Sequence, residues 1–105
     1  MTDEICTLIA KTAIGKNSRM QVIYEEKRTE VLCTSVPISR AEFFSAGQIG
    51  ITPDYELIIN PIEYDGQKVV EYKGKRLEIY RIYERNENEL EIYAHWVPGL
   101  SGGGQ

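Results

Sequence analysis

Residues 39–83 read SRAEFFSAGQIGITPDYELIINPIEYDGQKVVEYKGKRLEIYRIY, and the order of patterns within them decides the fold. Ser39-Arg40-Ala41-Glu42 is a capping box: the serine hydroxyl can accept from the Glu42 N–H, and the Glu42 carboxylate can accept from the Ser39 N–H. Phe43, Phe44, Ala46 and Gln48 continue a helix of two to three turns, which Gly47 and Gly50 end. Thr52-Pro53-Asp54 restarts extended structure, and Tyr55–Asn60 follows as a β-branched and apolar strand stopped by Pro61. Ile62–Tyr64 leads into Asp65-Gly66, a turn or somewhat longer loop. Val69–Tyr72 then faces Lys75–Tyr80 across Lys73-Gly74, a hairpin.

Outward from this block the pattern stays extended. Glu4–Ala13 reads as a first strand, and Gly15-Lys16-Asn17 as its turn. Met20, Val22 and Tyr24 alternate with polar residues, the period of two expected of a half-buried strand. Glu25–Arg28 reads as a charged turn, followed by a strand from Thr29 to Val36. On the C-terminal side Arg85–Asn88 is a turn and Glu89–Trp96 the last strand, stopped by Pro98-Gly99. Short strands, tight turns and one helix predict a mainly β protein, a small antiparallel β-barrel with one short helix and long loops. Residues 1–99 are expected to form this single domain, with 100–105 a flexible Gly-rich tail.

Composition narrows the function. A net charge of −4 over 105 residues argues against a dedicated nucleic-acid binder, whose affinity comes from clustered Lys and Arg. No apolar run approaches the ~20 residues of a membrane helix. MTDEICTLIA carries acids where a secretory signal carries Lys or Arg, which predicts a protein kept in the compartment that makes it, most simply a bacterial cytoplasm. Cys6 and Cys33 match no metal or redox spacing and read as buried thiols. His95 reads as a surface residue, and Glu89 and Glu91 as a solvated strand face. With no nucleophile–base pair, phosphate loop or ligand cluster, no catalytic, cofactor or metal site is expected, and the chain is not read as an enzyme.

Two features leave apolar surface in excess. Tyr55, Leu57 and Ile59 share one strand face while Ile58 and Ile62 share the other, and Leu77/Ile79 and Tyr80/Ile82 divide the same way. Either a bulge swaps the faces midway, or the helix and long loops cover the second one, or neighbouring subunits pack against it in a ring. Phe43 and Phe44 point about 100° apart on a helix, so one is expected to anchor the helix to the barrel. The other either rests at the edge of the apolar stripe or inserts into a partner.

Three segments, Ser39-Arg-Ala-Glu-Phe-Phe-Ser-Ala-Gly-Gln, Thr52-Pro-Asp-Tyr and Glu71-Tyr-Lys-Gly-Lys-Arg-Leu-Glu-Ile-Tyr-Arg, occur in an order that resembles the head-closure (head–tail joining, or stopper) proteins of tailed bacteriophages. The resemblance runs from Thr7 to Tyr93. It implies a virion structural protein, assembled in the bacterial host cytoplasm, that joins copies of itself in a ring below the portal and its adaptor. The ring closes the DNA-filled head and docks a tail-terminator or tail-completion protein, while packaged DNA passes through without specific binding. Carried onto this chain, Phe43, Phe44, Gln48, Ile49, Ile51 and Tyr55 are the expected partner or ring contacts. One loop of each subunit, Gly15–Arg19 or Gly47–Pro53, is expected to approach the ring axis as a plug or gate. The competing readings are an adaptor or tail terminator within the virion, or a small barrel that binds nucleic acid or a peptide. The Lys73, Lys75, Arg76, Tyr80 and Tyr83 strip favours the last of these, and Glu71, Glu78 and Glu84 dilute it.

Overall fold

The computed structural model describes residues 4–99, and the expected tail at 100–105 lies outside them. Six antiparallel strands close into a barrel in the order β1-β2-β3-β6-β5-β4. They are β1 (Glu4–Lys16), β2 (Val22–Val36), β3 (Tyr55–Ile59), β4 (Val69–Tyr72), β5 (Lys75–Asn86) and β6 (Glu89–His95), with one helix, α1 (Arg40–Gln48). Closure depends on β4, whose four residues pair with β1 on one side (Leu8 opposite Val70) and with β5 on the other (Val70 opposite Leu77). The core is the inward alternation of all six strands: Cys6, Leu8, Val31, Cys33, Leu57, Ile59, Val70, Tyr72, Leu77, Ile79, Leu90, Ile92 and Ala94. Tyr55 caps one end edge-on against Tyr72, with ring centres 5.0 Å apart.

Two expectations about the backbone are corrected. Glu25–Arg28 is not a turn, because β2 runs unbroken for 15 residues through it. Across the ladder Thr12, Lys11, Ala10 and Ile9 of β1 stand opposite these four residues. Two of their charges are matched laterally: Arg76 grips Glu26 with both guanidinium nitrogens at 2.9 and 3.2 Å, and Arg28 pairs with Glu71. A charge run marks a turn only when it has no partner strand to answer it. The second correction is Pro61–Glu63, a single 3₁₀ turn rather than extended chain. Proline presets the first position, and the Asn60 side-chain oxygen accepts from the Ile62 N–H at 3.0 Å.

The excess of apolar faces on β5 is met in part by a bulge at Tyr80 and in part by α1, whose Glu42 covers Tyr80, while Ile82 and Tyr83 stay exposed. Ile79 stands opposite Ala94, but the next paired residue is Arg81, opposite Tyr93. The extra residue sets Ile82 opposite Ile92, where it stays 43% exposed, and leaves Tyr80 and Arg81 together on the outer face.

β1 and β2 continue well past the barrel. Beyond Ile9, β1 pairs only with β2, and β2 meets β3 only over Thr34–Val36. Residues 10–28 therefore form a two-stranded ribbon along a molecule measuring 49 × 30 × 22 Å. Its tip is tightly built: the Asn17 side-chain oxygen accepts from the N–H groups of Arg19 and Gln21 at 2.8 and 3.0 Å. Met20 sits at the apex in the left-handed region (φ 65°).

Cys6 and Cys33 lie on adjacent strands, Cys6 opposite Val31 and Glu4 opposite Cys33, and both thiols are buried. Contact with Cys33, reinforced by burial, pushes the Cys6 thiol far above its ordinary value. In native protein both cysteines are therefore expected to resist an aromatic disulfide reagent at pH 8, reacting only as fast as the barrel opens. Rapid titration of either thiol before unfolding would contradict this placement.

Candidate functional site

Helix α1 begins where the sequence places it, with the Ser39 hydroxyl accepting from the Glu42 N–H at 3.0 Å. It ends in a Schellman stop: Gly50 (φ 81°) donates to the Gly47 carbonyl and Ile51 to the Ala46 carbonyl, at 3.1 and 2.9 Å. The second half of the expected capping box is absent, because the Glu42 carboxylate turns inward to the barrel. It accepts from the Tyr80 hydroxyl at 2.7 Å and from Arg81 at 2.5 Å. Both donors reach it because the bulge places them side by side.

Glu42, 6% exposed, and Ala46 are the only buried residues of the helix. Neither phenylalanine anchors it, contrary to expectation. Phe44 is 69% exposed and Ile49 71%, and Phe43 is exposed as well. Phe43 borders a shallow depression with Val36, Pro37, Ile38 and Tyr55. An ordinary surface helix turns its apolar side chains to the core and its charges to water. Here the arrangement is reversed, with a carboxylate moored inside and the large apolar side chains outside.

The mooring belongs to a wider polar layer between α1 and the outer face of β3, β5 and β6. Burial raises the Glu42 carboxyl, but the hydrogen bonds from Arg81 and Tyr80 and the Arg81 charge outweigh it and hold the group below its ordinary value. Arg81 also stacks over the Tyr93 ring, 4.1 Å from its centre. Glu56 is buried beside Glu91, and desolvation followed by that like charge raises its carboxyl. Glu91 is no solvated residue: it accepts from the Tyr93 hydroxyl and pairs with Arg85 at 3.0 Å. His95 is also corrected from the surface, its Nε2 lying 2.8 Å from Glu78 and its ring edge-on to Tyr80 at 5.2 Å.

The residues expected to make contacts divide into two sets. Phe43, Phe44, Gln48 and Ile49 are all exposed on α1 and its end, while Ile51 is half-buried and Tyr55 packs against the core. The loop after α1 is tied down: the Asp54 N–H donates to the Ala94 carbonyl at 3.0 Å, and the Asp54 carboxylate accepts from the Trp96 N–H at 2.7 Å. Of the two candidate gate loops, only Gly15–Arg19 stands at the end of a projecting element. In the cationic strip Arg76 is paired with Glu26, while Lys73 and Lys75 lie exposed over the Tyr72 and Tyr55 rings and keep their charges.

Among the described residues, no group of three or more His, Cys, Asp and Glu side chains is arranged to hold a metal ion. No helix among the described residues is long and apolar enough to cross a membrane. The chain matches no protein-family model and no curated protein.

Proposed function

We propose that this chain is a structural protein of the phage head–tail connector, a ring subunit below the portal and adaptor that closes the filled head and receives the tail. The observation that carries the reading is the reversed helix. Phe43, Phe44 and Ile49 are held in solvent on a capped and stopped helix, a rigid apolar patch of the kind that partners bury. The ribbon with Met20 at its apex extends well beyond the barrel wall, a reach that suits contact between neighbouring subunits of a ring. The pairing of Arg76 with Glu26 removes one of the three cations of the strip from a nucleic-acid groove.

The test is electron microscopy of particles from an induced host lacking this gene. Free tails beside tailless heads that have lost their DNA are expected; intact virions would overturn the proposal. Complementation with Phe44→Ala is expected to fail, although its unfolding free energy should stay within about 0.5 kcal/mol of wild type, because the side chain is mostly in water. A Phe44→Ala protein that complements fully would remove α1 from the docking surface.

A further inference from the structure

The charges of this chain are unevenly placed. The ribbon, residues 11–28, carries Lys11, Lys16, Arg19, Lys27 and Arg28 against Glu25 and Glu26, a net of +3 in a chain of net −4. The remainder is thus −7. Arg28 and Glu26 are paired with residues of the barrel, while Lys11, Lys16, Arg19 and Lys27 take part in no ion pair among the described residues. Between these cations Ile14, Met20, Val22, Ile23 and Tyr24 are all exposed. A lone two-stranded ribbon is at best marginally stable in water, and one with five bare apolar side chains gains by lying on another surface.

The barrel carries a surface of the opposite character. A groove of about 380 Å³ runs past Leu32, Thr34, Ile58 and Asn60, edged by Glu63 and Glu89, and no Lys or Arg lines it. Ile62, 88% exposed, adjoins Glu63, and Ile5 stands opposite Leu32 on the neighbouring strand. The groove mixes apolar Leu32, Ile58 and Ile59 with Thr34, Asn60 and Asn88, and its rim carries Glu63 and Glu89, the latter 3.8 Å from Arg85. The ribbon mixes exposed apolar side chains with cations unpaired among the described residues.

A ribbon cannot fill the groove of its own chain. β2 is continuous from Val22 to Val36, so the apex at Met20 lies twelve residues from Leu32, roughly 40 Å along an extended strand. Pairing two ribbons tip to tip would bring like charges together. The partner that fits is the groove of a second copy.

We infer that the β1–β2 ribbon of one copy docks, head to tail, in the Leu32–Ile58–Glu63–Glu89 groove of the next. Two different surfaces then meet at each contact, and this is the kind of interface that builds rings. The inference specifies the subunit contact of the ring proposed above and rests on that reading for its closure. It leaves the α1 patch free for a different partner.

Charge exchange between two purified variants tests it. In Lys16→Glu/Arg19→Glu both the ribbon tip and the groove are acidic; in Glu63→Lys/Glu89→Lys both are basic. By sedimentation velocity at low salt, wild type is expected to associate as concentration rises, and each variant alone to associate at least about tenfold more weakly. An equimolar mixture should recover association, because each variant supplies the surface that the other has lost. Circular dichroism of each variant checks that the barrel is folded. Variants that each associate like wild type would overturn the inference, as would a mixture that stays dissociated. A wild-type chain that remains monomeric but binds duplex DNA would assign the ribbon cations to phosphates instead. None of these results depends on virions, so the inference can fail while the connector reading stands, and intact particles from the gene-deleted host can sink that reading while the contact survives.

Discussion

Replacing Ile92 with alanine is expected to lower the unfolding free energy by about 3 kcal/mol and the melting temperature by roughly 15 °C. Ile92 has no exposed surface and stands opposite Leu57 on one side and Ile82 on the other, in the strand that joins both halves of the barrel. Removing its side chain deletes apolar burial and leaves a void that two paired neighbours prevent from collapsing. A domain of this size is stabilised by roughly 5–15 kcal/mol, so the loss is a large share of the total. Ile62→Ala is the matched comparison and should change stability by less than about 0.5 kcal/mol, because that side chain is almost wholly in water. Thermal and urea unfolding of both proteins provide the measurement. Equal effects would mean that the inward alternation of β6 is misplaced.

The second large effect concerns the helix mooring. Glu42→Ala is expected to cost about 2 kcal/mol, since it removes a buried carboxylate and strands the Tyr80 hydroxyl and the Arg81 guanidinium that donate to it. The figure stays below that of a fully buried ion pair because the Arg81 side chain is partly in water. The pH dependence has a definite sign. The Glu42 carboxyl is held below its ordinary 4.5 in the folded state, so its contribution is complete above that value and is lost as pH falls through the lower folded one. Glu56 acts oppositely: its carboxyl is raised, so its charged form costs stability at neutral pH, and protonation relieves that cost. The stability gap between wild type and Glu42→Gln should therefore shrink as pH is lowered from 7 through 4.5 to 3. A gap that is constant over this range would show that the carboxylate charge does not hold the helix.

Both effects depend on parts of the structure that differ in how legible they are. The barrel itself is plain in the alternation of Cys6 and Leu8, Leu57 and Ile59, Val70 and Tyr72, Leu77 and Ile79, and Leu90 and Ile92, because a strand with one face in a core must place an apolar residue at every second position. The helix start and stop were equally plain. Ser39 supplies the oxygen that an unpaired N–H requires, and Gly50 is the residue that enters the left-handed region without strain.

The candidate site was only half legible. Phe43, Phe44 and Ile49 could be singled out as large apolar residues on a short helix, but a helical wheel does not say which side meets the barrel. That depends on Glu42 finding Tyr80 and Arg81, some forty residues away, and on a bulge that no period in the sequence announces. The four charges at 25–28 carried a local turn pattern that Arg76 and Glu71 override from strands distant in the chain. The ribbon groove was hidden for the same reason, since Leu32, Ile58, Glu63 and Glu89 come from separate segments. What the sequence determined by itself is whatever nearest neighbours enforce: strand periodicity, helix caps, tight turns and total charge. Only the tertiary structure decided which face of α1 is moored, where the ribbon leaves the barrel and how basic and acidic surfaces divide. Those depend on partners brought together by closure of the barrel, and distance along the chain carries no record of them.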